Sequence, residues 1–72
     1  MLSTDTLKKL NEKYVGKLID MYSDGWYAKI EEINELGWTF VITNLYSAYG
    51  RQKAGDIIFY SHSSELKFTI IE

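Results

Sequence analysis

The sequence predicts a mainly β fold: an N-terminal α-helix followed by a five-stranded, strongly bent antiparallel small barrel. Three observations point there. Asp24-Gly25 separates two apolar and aromatic runs, a hairpin signal because a type I′ turn needs positive φ at both central residues. Short stretches rich in aromatic and β-branched residues recur, each bounded by Gly, Ser or Asn. Ahead of them, Leu7, Leu10 and Tyr14 fall at i, i+3 and i+7, a single apolar helical stripe.

Ser3 or Thr4 can cap that helix, with Asp5 in its first turn, where the macrodipole favours an anion. Lys8, Lys9 and Lys13 lie mostly off the stripe, so the helix docks through its apolar side and ends near Lys13 to Gly16. The first strand spans 17–22. The second places Trp26, Ala28 and Ile30 on one face and Tyr27, Lys29 and Glu31 on the other. Beyond Glu31-Glu32 the alternation slips, and a β-bulge there returns Ile33 to the inner face. A turn at Glu35-Leu36-Gly37 opens the third strand, Trp38 to Leu45. The segment 46–55 reads as a long loop with two basic residues and no acid. The fourth strand, Asp56 to Tyr60, is apolar from Ile57 onward, so both its faces want cover. After a polar turn, the last strand points Leu66, Phe68 and Ile70 inward.

At 72 residues the chain is read as one domain (1–72), with the helix in 1–15 and the barrel in 16–72. Such a chain buries only about 60% of the surface exposed when unfolded, which leaves it marginal alone. With no Cys and one His, neither disulfides nor a thiolate metal site relieve that deficit, so association with further copies is expected. No apolar run approaches the roughly 20 residues of a membrane span, and no secretory pattern opens the chain. These features point to a cytoplasmic protein.

The net charge of −2 excludes a generally cationic surface. Residues 1–17 nevertheless hold four lysines against two acids. A nucleic acid would therefore meet a local basic patch or a set of aromatics. No nucleophile–base pair, paired catalytic carboxylates or phosphate loop is visible, so no enzymatic activity, cofactor or metal is expected.

Helix, Asp24-Gly25 hairpin and Gly55-Asp56-Ile57-Ile58-Phe59 together resemble the Sm-like family, including its bacterial Hfq branch. The segment Ala28 to Trp38 is similar to that family's first motif. There Asn34 takes the Asp position, Leu36 the base-stacking position and Trp38 the Asn position. Tyr60-Ser61-His62 resembles the Tyr-Lys-His run of the Hfq branch, with Ser61 where a basic residue stands. The resemblance implies an SH3-like (Sm-like) barrel that assembles into a homo-oligomeric ring and binds nucleic acid, RNA ahead of DNA. The implied contacts are Asn34, Leu36, Trp38, Ser61 and His62.

Arg51 and Lys53, on an acid-free loop, join them as candidate phosphate contacts, the alternative being a solvated tip. Trp38 is read either as a stacking platform or as a plug of the barrel. His62 is read either as a base contact or as a cap on a backbone group. A second resemblance is to the Tudor-type barrel, in Tyr22 to Ile30 and Tyr49-Gly50-Arg51. It implies a monomeric adaptor in which Tyr22, Tyr27, Tyr46 and Tyr49 bind a peptide or surround a methylated cation.

Overall fold

The computed structural model describes residues 3–22, 24–46 and 52–71. Within them the chain forms α1 (Thr4–Tyr14), β1 (Leu18–Met21), β2 (Trp26–Ile33), β3 (Gly37–Leu45), β4 (Ile57–Ser61) and β5 (Thr69–Ile70). The strands make one antiparallel sheet in the order β4-β3-β2-β1-β5. It is not closed, so β4 and β5 are its two edges.

Ser3 is the helix cap, its hydroxyl accepting from the Thr6 N–H at 3.1 Å. Leu7, Leu10 and Tyr14 pack against the core as the stripe requires. Asn11 adds a tie that the stripe does not reveal. Its Nδ2 donates to the Leu7 carbonyl at 2.8 Å and to the Ile33 carbonyl at 3.0 Å, pinning α1 to the end of β2.

Alternation holds through the centre of the sheet. Ile19 and Met21 on β1, Trp26, Ala28, Ile30 and Ile33 on β2, and Phe40 and Ile42 on β3 form the buried core. The register shift between Ile30 and Glu32 is the bulge that brings Ile33 inward. A second shift, between Tyr27 and Ala28, has no signature in the alternation.

The first turn differs from expectation and the second carries an added constraint. In the first hairpin Met21 pairs with Trp26, so four residues separate the strands. The Asp24 and Gly25 N–H groups both donate to the Met21 carbonyl, at 2.9 and 3.0 Å. Gly25 has φ of 84°, but Asp24 has no positive φ, and the type I′ geometry is therefore not formed. At the second turn, Gly37 both closes the turn and is the first residue of β3. A Cβ there would lie 2.1 Å from the Tyr60 backbone oxygen. Glycine is required at this point by the close approach of β4.

The edges also depart from the expected pattern. On β4, Ile58 and Tyr60 pack against the core while Ile57 and Phe59 are exposed at 70% and 50%. Leu66 and Phe68 do face the core, but pairing with β1 is limited to Ile19↔Ile70 and Asp20↔Thr69. The last strand is accordingly two residues long, and Ile70 is exposed.

Candidate functional site at the β2–β3 and β4–β5 turns

Asn34 organises the β2–β3 turn with its own side chain. Its Oδ1 accepts from the Leu36 and Gly37 N–H groups, at 2.8 and 3.2 Å, an Asx turn that satisfies two donors at once. The Asn34 N–H donates to the Gly37 carbonyl at 3.0 Å, closing the loop. Leu36 is thereby held at the tip, 74% exposed.

The β4–β5 turn meets it from the neighbouring strand pair. Gly37 is in register with Ser61, which places the start of β3 beside the end of β4. His62, the next residue, donates from Nε2 to the Asn34 carbonyl at 2.6 Å. A carbonyl only accepts, so Nε2 carries the proton in this bond. The Ser61 hydroxyl lies 2.9 Å from that of Ser63 and 3.3 Å from that of Ser64. The result is a half-buried imidazole bonded to the opposite turn, with hydroxyl-bearing residues on either side of it in the chain.

The helix reaches the same end of β2. Through Asn11 it is anchored at Ile33, the residue just before Asn34. Lys8, Lys9 and Lys13 are all exposed on it.

Four of the expected contact residues thus come together: Asn34, Leu36, Ser61 and His62. Trp38 lies in the same region but points into an aromatic cluster. Its ring centroid is 5.3 Å from Tyr14, 5.9 Å from Phe68 and 6.1 Å from Phe40. Lys53 is elsewhere. Its N–H donates to Asp56 Oδ2 at 3.0 Å, in the turn that precedes β4. From there to Ser61 is the length of the strand, about 16 Å. Arg51 and Tyr49 lie outside the described residues. A depression of about 420 Å³ lined by Gly16, Lys17, Leu18, Lys29 and Thr43 is separate from both turns. Among the described residues, no group of three or more His, Asp and Glu is placed to hold a metal.

Of the tyrosines proposed to form a cage, Tyr27 and Tyr46 do meet, with ring centroids 4.8 Å apart and planes tilted by 47°. Tyr22 is exposed in the first hairpin loop. Asp20 was not expected in this group, yet its carboxylate accepts from the Tyr46 hydroxyl at 2.6 Å. That bond holds the Tyr46 proton and raises its pKa to about 12.

Comparison with family models, with curated proteins and with solved structures found no match to this chain.

Proposed function

We propose that the chain is an Sm-like subunit that assembles into a homo-oligomeric ring and binds single-stranded nucleic acid, RNA ahead of DNA, without catalysis. The observation that carries this reading is the meeting of the two turns through His62 and Asn34, beside a helix bearing three exposed lysines. Leu36 offers an exposed apolar surface for a base. His62 Nδ1 and the Ser61 and Ser63 hydroxyls offer hydrogen bonds to base edges or sugars. The lysines supply phosphate contacts.

The open sheet supports the ring. Its edges β4 and β5 are different strands of the same subunit, so pairing between copies is heterologous. Such pairing closes into a ring when the rotation permits, and it would also cover Ile57, Phe59 and Ile71. Repetition by symmetry would gather one small cluster of turns and lysines into a continuous surface.

Light scattering on the purified chain, followed by titration of labelled oligo-U and oligo-A at low and moderate salt, tests both parts. The expected result is a mass several times that of one chain and an affinity that falls as salt rises. A monomer at working concentration, or no binding at micromolar protein in low salt, would overturn the reading.

A further inference from the structure

A second surface lies at the opposite end of β2 from the paired turns, about 20 Å along the strand. Asp20 and Tyr27 are register partners on β1 and β2, so their side chains leave the same face of the sheet. Tyr46 completes the group from just beyond β3. It is held at both ends, its N–H donating to the Gly25 carbonyl at 3.1 Å and its hydroxyl to Asp20 Oδ1 at 2.6 Å. Despite this, Tyr46 is 49% exposed. An exposed aromatic ring with its backbone and its polar tip both fixed has already lost the freedom that binding would otherwise remove.

Among the described residues no cation forms an ion pair with the Asp20 carboxylate. The ion pair present among them is Lys67–Glu65, and Lys29, two residues along β2 from Tyr27, is not within 4.0 Å of Asp20. This surface therefore sets, among the described residues, two aromatic rings beside a carboxylate with no ion-pair partner, a combination that attracts a cation. Its shape distinguishes between cations. Two tilted rings open to solvent cannot enclose a compact ammonium group, but they can take a plane against one face. A guanidinium is planar, weakly hydrated, stacks on aromatic rings and donates in a fixed fork to a carboxylate.

We propose that Asp20, Tyr27 and Tyr46 form a binding cleft for an arginine side chain of a partner polypeptide, with the guanidinium stacked on the tyrosine pair and bonded to Asp20. This surface is independent of the nucleic-acid reading and uses none of its residues.

The test is an NMR titration of the ¹⁵N-labelled full chain with the peptide acetyl-Gly-Arg-Gly-amide. Parallel titrations use the same peptide with lysine or trimethyllysine at the centre. Saturable shifts centred on Asp20, Tyr27 and Tyr46 are expected with arginine, and binding about fivefold weaker or worse with the other two. Asp20→Asn is expected to weaken arginine binding about tenfold while leaving oligo-U affinity unchanged. Tyr46→Phe keeps the ring and removes its tether, and should weaken binding severalfold even if Asp20→Asn perturbs the fold. Absence of saturable shifts at the cleft would overturn the proposal. So would trimethyllysine binding most tightly, an undiminished response in a folded Asp20→Asn variant, or displacement of the peptide by oligo-U.

Discussion

The Tyr60 hydroxyl donates to the Asp24 carboxylate, joining the edge strand β4 to the tip of the first hairpin. The sheet register makes this contact informative. Tyr60 pairs with Trp38 and the hairpin ends beside Leu45, seven residues further along β3. On a flat sheet that separation alone is about 23 Å, beyond the reach of the two side chains. The bond exists because β3 curves around the core and brings its two ends toward each other.

The same bond predicts an alkaline limit to stability. Burial, together with the bond to Asp24, raises the Tyr60 pKa from 10.0 to about 12. The folded state therefore holds this proton more tightly than the unfolded chain does. The contribution is complete below pH 10 and is lost as pH rises from 10 toward 12. Tyr60→Phe should cost about 1 kcal/mol at neutral pH and flatten that alkaline decline. Urea melts at pH 7, 10 and 11.5 on both proteins check this.

Gly37→Ala tests the close approach of β3 and β4. The new methyl would collide with the Tyr60 carbonyl and the Phe59 ring, which lie 2.1 and 2.8 Å from it. The first of these is backbone, so relief requires the strands to separate. A loss of about 2–3 kcal/mol is expected in chemical denaturation. Unchanged stability would mean that β4 does not pair here.

Within the candidate nucleic-acid surface, substitutions should separate into three kinds. Leu36→Ala is expected to weaken oligo-U binding about fivefold or more with little loss of stability, and His62→Ala to weaken it similarly while costing about 1 kcal/mol for the lost bond to Asn34. Trp38→Ala should lower stability by about 2–3 kcal/mol through its contacts with Tyr14, Phe40 and Phe68. Lys53→Ala should change neither, because it sits at the far end of β4. Fluorescence anisotropy paired with thermal melts reads all three.

Charge placed on the exposed side of β4 tests assembly. Ile57→Lys or Phe59→Lys should leave the subunit folded, since both side chains are outside the core, and reduce its mass by light scattering toward one chain. Persistence of the full assembly in both variants would remove β4 from the subunit contact.

Much of this architecture is legible in the residue pattern, because its determinants are local. The Ser3 cap, the Leu7, Leu10 and Tyr14 stripe, and the Trp26, Ala28 and Ile30 face each follow from a period or a short offset. So does the slip before Ile33. What escapes the pattern depends on distant partners. Asn11 looks like an ordinary polar helix residue until Ile33 arrives beside it, 22 positions later. Gly37 looks like a turn glycine, whereas its constraint comes from the backbone at Tyr60. The approach of His62 to Asn34 spans 28 positions and requires the strand order before it can be seen. Asp20 gives no signal at all until Tyr46 folds back onto it.

The register of β2 carries one last implication. Ile30 pairs with Phe40, Glu32 with Thr39 and Ile33 with Trp38, so Glu31 is the supernumerary residue. Deleting it would restore strict alternation with every neighbour still on its present side. Glu31 is thus dispensable for sorting oily from wet, and what it supplies is aim: without it Ile33 would deliver its carbonyl, and Asn34 after it, to a different address from the one where Asn11 and His62 are waiting.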